Sequence, residues 1–87
     1  SKVWDMIYID GGHDYEDVLF DYKLCLENLA DNGIIVIDDS SLYTDYKPTS
    51  FAFKGHPGPS LVAREYADKE MEFLGAVGHN SVYMKRQ

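Results

Sequence analysis

Cysteine, basic charge and long apolar runs are all scarce in this sequence of 87 residues. The single cysteine, Cys25, cannot form a disulfide within the chain, so we expect a small buried side chain and a reducing, cytoplasmic compartment. Eight basic residues stand against 15 acidic ones, and the net charge of −7 argues against a nucleic-acid partner, which would require a basic patch. No apolar run approaches the roughly 20 residues that a membrane-spanning helix needs, so no membrane contact is predicted.

Two apolar segments that each end in aspartate are the most informative feature that the sequence does contain. Asp10 closes residues 4–9, and the pair Asp38-Asp39 closes residues 33–37. If these segments are parallel strands joined by a helix, their carboxyl ends lie at one edge of the sheet, where open α/β sheets bind ligands. Three carboxylates at that edge suit Mg²⁺ or a similar divalent cation. Adjacent aspartates at a strand end are also common turn formers, so a turn is the alternative role for Asp38.

A helix from about Asp14 to Ala30 is predicted between the two strands. Asp14 is the expected N-cap, and Asn32-Gly33 is the expected stop because glycine readily adopts the left-handed conformation after a helix. The apolar run after Gly33 shows no alternation, which predicts a strand buried on both faces. One apolar stripe at three- and four-residue spacing supports the helix, formed by Val18, Leu19, Tyr22, Leu26 and Leu29.

A long loop and a second helix are predicted after Asp39. The loop covers residues 40–58 and is rich in aromatic side chains, and loops longer than about 12–15 residues are usually lids, binding segments or disordered. The aromatic content favours the first two roles. Pro59 suits the first position of a helix that runs to about Lys69. The apolar face of that helix is predicted to contain Leu61, Val62 and Tyr66.

The end of the sequence is typical of a β-hairpin. Residues 71–77 and 81–86 read as two strands, and Gly78-His79-Asn80 between them has the chemistry of a tight turn. His79 in this turn and His56 in the long loop are expected to be exposed to solvent, with His56 a minor candidate for substrate contact.

Two strings of residues carry a resemblance to a known family. They are Asp5-Met6-Ile7-Tyr8-Ile9-Asp10-Gly11-Gly12-His13-Asp14-Tyr15-Glu16-Asp17-Val18, followed by Asp21, and Leu29-Ala30-Asp31-Asn32-Gly33-Ile34-Ile35-Val36-Ile37-Asp38-Asp39. Together they resemble the C-terminal half of a class I S-adenosylmethionine-dependent methyltransferase. The most similar branch is that of small-molecule methyltransferases whose fourth strand ends in Asp-Gly-x-His-x-Tyr. The closing hairpin resembles strands six and seven of the same fold.

The resemblance implies an α/β fold that holds part of a Rossmann-like sheet in a single partial domain, residues 1–87. Strands 4, 5, 7 and 6 are expected in that order with two helices, strands 4 and 5 being parallel and the hairpin antiparallel. The glycine-rich turn and the ribose-binding acidic residue of the family's N-terminal half have no counterpart here. Gly55-x-x-Gly58 does not replace that turn, because it follows an aromatic loop rather than a strand. We therefore expect an excised or truncated piece that binds S-adenosylmethionine poorly and is inactive alone.

The resemblance also implies a chemistry for the aspartates. Metal-dependent O-methyltransferases place one aspartate after strand four and an acidic pair after strand five, and Asp10, Asp38 and Asp39 match those positions. The implied function is O-methylation of a small hydroxylated acceptor, with S-adenosylmethionine as donor and Mg²⁺ or another divalent cation as helper. Asp10 has an alternative role as a contact of the cofactor's methionine amino group or as a helix cap. His13 is a candidate general base, and its alternative role is a hydrogen bond to backbone at the start of the helix.

The sequence allows two other functions for the chain, and the resemblance predicts an unpaired strand edge. The chain could be a non-catalytic α/β binding or assembly module from a truncated methyltransferase gene, or a hydroxylase-like metal-dependent relative on the same scaffold. In the family, strand four pairs with strand one, which has no counterpart here. The strand from Val3 to Ile9 is therefore predicted to expose an unpaired edge, with Ile7 and Ile9 partly uncovered, and to form a homo-oligomer through it.

Overall fold

The computed structural model describes residues 3–10, 12–45 and 53–86. Gly11 of the Asp-Gly-x-His-x-Tyr string and residues 46–52 of the predicted loop lie outside the described residues. Among the described residues, no helix has the length and apolar character to cross a bilayer. The elements in chain order are β1 (Trp4–Ile9), α1 (Tyr15–Glu27), β2 (Leu29–Ile37), α2 (Pro57–Val62), a π-helical turn (Ala63–Ala67), α3 (Asp68–Glu70), β3 (Glu72–Val77) and β4 (Asn80–Met84).

The four strands form one mixed sheet in the order β1-β2-β4-β3. β1 and β2 are parallel, while β4 runs antiparallel to both β2 and β3. The predicted α/β class and the strand order 4-5-7-6 are therefore confirmed. Ile9 at the end of β1 lies opposite Ile37 at the end of β2. This register brings the residues that follow the two strands to the same place on the sheet edge.

Helix α1 is shorter than predicted. Asp14 takes the N-cap position, but its side chain makes no capping hydrogen bond, and the helix ends at Glu27 with Asn28 as its C-cap. The predicted end at Ala30 and the stop at Asn32-Gly33 were wrong, because β2 begins already at Leu29. The peptide N–H of Trp4 donates to the carbonyl of Asn28 over 2.8 Å, so sheet pairing takes over immediately after the helix.

The left-handed residue near the predicted stop is Asn32 rather than Gly33. Asn32 has φ 65° and lies within β2, where the register with β1 shifts between Trp4 and Met6. Asparagine tolerates this conformation better than most residues. Gly33 is required for a different reason, since a Cβ there would lie 2.7 Å from the carbonyl oxygen of Ala30.

The second helical segment begins at Pro57, earlier than the predicted Pro59, and continues through the π-helical turn to Glu70. Pro57 fits the first turn because the N–H groups there have no helical partner. Of the predicted apolar face, Val62 is fully buried, whereas Leu61 and Tyr66 are half-buried. In the π-helical turn each backbone hydrogen bond spans five residues instead of the four of an α-helix. The buried face of the segment continues through this turn at Ala63 and Ala67.

The hydrophobic core lies on one face of the sheet, between the strands and the helices. Ile35 and Ile37 of β2 are fully buried there, but Ile34 and Val36 on the other face are only half-buried. The prediction that β2 is buried on both faces was therefore wrong, because the described helices pack on one face. Ile9, which was predicted to be partly uncovered, is buried in this core.

The hairpin and the described ends of the long loop complete the fold. Gly78 and His79 form the turn between β3 and β4, and Gly78 has φ 64°, as the predicted turn requires. The loop folds back on itself, because the N–H of Ser41 donates to the carbonyl of Lys54 over 2.9 Å and Ser40 bridges to Gly55. This pairing carries the Gly55–Gly58 segment to the carboxyl-end edge of β1 and β2.

Candidate functional site

The three aspartates predicted as ligands lie together at the edge where β1 and β2 end. Asp10 follows β1 directly, and Asp38 follows β2. The N–H of Asp38 donates to the carbonyl of Ile9 over 2.9 Å, which extends the pairing of the two strands by one step. The parallel unit thus fixes the backbone of Asp10 beside that of Asp38, as its topology predicts.

Asp10 and Asp38 interact directly. A side-chain hydrogen bond to Asp38 raises the pKa of Asp10 above its usual range, and the negative charge of Asp38, partial desolvation and the charge of Asp39 add to the shift. The hydroxyl of Tyr8 donates to Oδ1 of Asp38 over 3.0 Å. Crowded carboxylates of this kind favour either a shared proton or a bound cation, because each charge opposes its neighbour.

Asp39 holds a strained backbone position and contacts His13. Its φ is 55°, a left-handed conformation that few residues other than glycine, asparagine and aspartate adopt. Nε2 of His13 lies 2.9 Å from Oδ2 of Asp39, and the Asp39 side chain is mostly buried. His13 therefore engages a carboxylate, so its candidate role as a base is compatible with the geometry.

Two histidines that sequence reasoning assigned to solvent join the site. The ring of His56 stacks on that of His13 with 3.6 Å between centroids, and His56 is half-buried. Nε2 of His79 lies 3.3 Å from Oδ1 of Asp38 and 3.8 Å from Oδ1 of Asp39. The expectation of solvent exposure was wrong for His56, which is half-buried, whereas the His79 side chain is exposed as expected, at 44% of its area, and still faces the two aspartates. For His79 a signal existed, because β4 runs antiparallel to β2 and the turn before β4 must lie at the edge where β2 ends.

Two groups of three side chains bring one potential ligand atom each within 4.8 Å of one another. The first consists of His13, Asp39 and His56, and the second of Asp38, Asp39 and His79. Among the described residues, neither group includes Asp10, whose carboxyl contacts Asp38 instead. The site thus contains the predicted carboxylates and, beside them, an imidazole-rich set that was not predicted. Cation binding by Asp10, Asp38 and Asp39 stays a prediction.

A cluster of buried serines forms hydrogen bonds with the backbone around Asp39. The hydroxyl of Ser40 donates to the carbonyl of Ile37 over 2.7 Å, and the N–H of Ser81 donates to the Ser40 hydroxyl over 3.1 Å. The hydroxyl of Ser60 donates to the carbonyl of Asp39 over 3.4 Å. These serines join the end of β2 to β4 and α2, so the residues that flank Asp39 are fixed by hydrogen bonds in a dry environment.

A family model and a viral protein are similar to this chain. Residues 1–40 match the family model described as "Methyltransferase domain". The matched segment contains β1, α1 and β2 together with Asp10, His13, Asp38 and Asp39, whereas His56 and His79 lie beyond it. An "Uncharacterized protein R132" of Acanthamoeba polyphaga mimivirus is 29% identical over 79 residues, which cover 88% of this chain and 34% of the relative. The chain thus spans about a third of the length of that relative.

Proposed function

We propose that this chain forms the C-terminal portion of an S-adenosylmethionine-dependent methyltransferase that methylates a hydroxyl group of a small molecule with the help of a divalent cation. The observation that carries the proposal is the coincidence of two independent features. The segment that matches a methyltransferase domain, residues 1–40, is also the segment whose strand ends bring three aspartates and a histidine to one sheet edge.

Asp10, Asp38 and Asp39 would hold the cation. The donor set fits a hard divalent ion, because carboxylate oxygens are the ligands that Mg²⁺ prefers and the contact between Asp10 and Asp38 concentrates negative charge. A bound cation would lower the pKa of an acceptor hydroxyl so that its oxygen can act as nucleophile. Asp10 has the alternative role of binding the methionine amino group of the cofactor.

His13 would accept the proton of the acceptor hydroxyl. Its Nε2 faces Asp39 at 2.9 Å, so this nitrogen would donate its N–H to the carboxylate, which orients the ring and leaves Nδ1 to accept the proton. The stacked ring of His56 restricts His13 further from the other side. The methyl group itself is supplied by S-adenosylmethionine, and this sequence has no counterpart of the glycine-rich turn that holds the cofactor in the family. The chain is therefore proposed to be inactive alone.

The test uses the gene from which the chain derives. The coding sequence upstream of Ser1 is read first, and we expect it to encode a strand followed by a glycine-rich turn. The longer product is then incubated with S-adenosylmethionine carrying a labelled methyl group and a catechol probe, with Mg²⁺ or with a chelator. Asp38→Asn is expected to lower methyl transfer by roughly 100-fold or more, and Lys69→Gln, on the distant surface of α3, serves as the matched control.

Two outcomes would contradict the proposal. A reading frame that starts near Ser1 would favour the non-catalytic α/β binding or assembly module. Methyl transfer that is unaffected by chelator and by Asp38→Asn would keep the methyltransferase but remove the cation from its mechanism.

A further inference from the structure

Three segments that are far apart in sequence bring two imidazoles and one carboxylate together at the sheet edge. His13 precedes α1, Asp39 follows β2, and His56 precedes α2. Their potential ligand atoms all lie within 4.8 Å of one another. This set differs in kind from the all-oxygen set of Asp10, Asp38 and Asp39, because imidazole nitrogen suits Zn²⁺, Co²⁺ and related ions rather than Mg²⁺.

The distances suit a single small ion. Zinc binds histidine nitrogen and carboxylate oxygen at about 2.0–2.2 Å, so two ligand atoms on one ion are roughly 3.0–3.4 Å apart for ordinary angles. Nε2 of His13 and Oδ2 of Asp39 are 2.9 Å apart, close to the lower end of that range. The His56 ring lies against the His13 ring with an interplanar angle of 26°, so the His56 ring must turn about its side-chain torsions to direct a nitrogen at the same ion, and its ligand atom already lies within 4.8 Å of the other two.

The backbone holds His56 in this place through two close approaches. The N–H of His56 donates to the carbonyl of Asp39 over 2.9 Å. A Cβ on Gly55 would collide with the carbonyl of Asp39, and a Cβ on Gly58 would collide with the carbonyl of His13. The two glycines therefore let the segment between them touch both partner residues at once. Ligands that are positioned by rigid backbone contacts require little reorganisation on binding.

We propose that His13, Asp39 and His56 form a binding site for a borderline transition-metal ion such as Zn²⁺ or Co²⁺. The site shares Asp39 with the carboxylate set but takes its other two ligands from imidazoles. An ion bound to Nε2 of His13 would displace the hydrogen bond from that nitrogen to Asp39, which orients the ring of the proposed base, so metal binding here and base catalysis by His13 exclude each other. The inference does not depend on methyl transfer, since it requires only the three side chains.

The test is a Co²⁺ titration of the 87-residue chain, followed by the visible ligand-field absorption that nitrogen-ligated Co²⁺ acquires. We expect one saturable equivalent that Zn²⁺ displaces. His56→Ala is expected to raise the Kd for Co²⁺ by at least about 10-fold, the scale of effects seen even for residues that only orient metal ligands. His79→Ala is the matched control, because His79 lies at the same edge but outside this set, and it should leave the Kd within about twofold.

A second measurement needs no substitution and remains valid if His56→Ala fails to fold. Nitrogen chemical shifts of the imidazoles are recorded with and without Zn²⁺, and we expect His13 and His56 to shift as ligands while His79 does not. Equal Co²⁺ affinity of the wild type and His56→Ala, or Zn²⁺-induced shifts at His79 in place of His56, would overturn the proposal. Neither result would affect the chelator and Asp38→Asn experiments on methyl transfer, so the two proposals fail separately.

Discussion

The two faces of the sheet differ sharply in how they are covered. On the helix-covered face, Ile35 and Ile37 are 0% exposed and Tyr83 is 1% exposed. On the other face, β1 alone presents Trp4 at 53% and Met6 at 61% exposure. Both faces are apolar in sequence, so composition does not distinguish them. The difference arises because α1 and the segment from α2 to α3 pack on one side of the sheet.

An apolar face that remains half-exposed indicates an interaction surface, since contiguous exposed apolar patches are uncommon on monomeric proteins. The exposed side chains continue around the β1 edge onto α1, where Phe20 and Leu24 are also exposed. The covered face should therefore dominate the stability of the chain, and the open face should dominate its association. The following predictions test that division, beginning with the largest expected effect.

Replacing one buried isoleucine and its neighbour on the opposite face compares the two faces directly. Ile35→Ala is expected to lower the free energy of unfolding by about 2–5 kcal/mol, because it removes a side chain from a closed core and leaves a cavity. Ile34→Ala, the same change one position earlier on the half-buried face, should cost about 1 kcal/mol. Urea denaturation of both variants at low protein concentration measures the difference. Equal losses would mean that the open face is as well packed as the covered one.

The close approach of α2 to the His13 segment gives a second test of the covered side. Gly58→Ala should lower the free energy of unfolding by about 1–3 kcal/mol, since the added methyl group collides with the carbonyl of His13. Gly12→Ala is the control, because the nearest atom to its Cβ would be 4.0 Å away, and its effect should stay within about 0.5 kcal/mol. Thermal or urea unfolding serves as the measurement, and a neutral Gly58→Ala would contradict the contact.

High pH should weaken the covered face through its buried tyrosines. Burial raises the pKa of Tyr22 and Tyr83 above the usual value of 10.0, and hydrogen bonds to Glu70 and Asp68 add to the shift. Because the folded state keeps these protons and the unfolded state loses them, stability is intact below about pH 10 and falls above it, by about 1.4 kcal/mol per pH unit for each tyrosine.

Denaturation midpoints between neutral and strongly alkaline pH measure that slope. Tyr22→Phe removes one of the two groups and should reduce the slope by about 1.4 kcal/mol per pH unit, although it also costs the hydrogen bond to Glu70 at every pH. An unchanged alkaline slope in Tyr22→Phe would show that its hydroxyl is not held protonated by the fold.

The smallest effect on stability, and the clearest on association, is expected at the β1 edge. β1 lies at one end of the described sheet, and we propose that it pairs with β1 of a second copy. Met6→Lys should abolish self-association while it changes the free energy of unfolding by no more than about 0.5 kcal/mol. Val77→Lys on β3 is the control, because β3 is the opposite end strand and Val77 is even more exposed than Met6. Sedimentation at micromolar concentration measures the oligomeric state of each protein, and a monomeric wild type would contradict the pairing.

Local patterns predicted the elements better than their boundaries. The two apolar runs ending in aspartate, the stripe of α1 and the turn at Gly78 were all visible along the chain, and the strand order that is observed was implied by the resemblance to the methyltransferase family. The end of α1 was missed because Leu29 fits a helical stripe as well as a strand, and only its pairing with Trp4 decides between them. The start of α2 was missed because both Pro57 and Pro59 suit a first turn.

The candidate site also has features that the sequence predicts and features that only the tertiary structure decides. The sequence by itself predicted that Asp10, Asp38 and Asp39 lie at one edge, because parallel strands joined by a helix end at the same edge of a sheet. Only the tertiary structure decided that His56 joins His13 and Asp39, and that one face of the sheet is covered while the other is open. These features depend on contacts between segments that are distant in sequence. Gly55 packs against the carbonyl of Asp39, and Gly58 packs against the carbonyl of His13. The periodicity of residues along the chain does not predict such contacts.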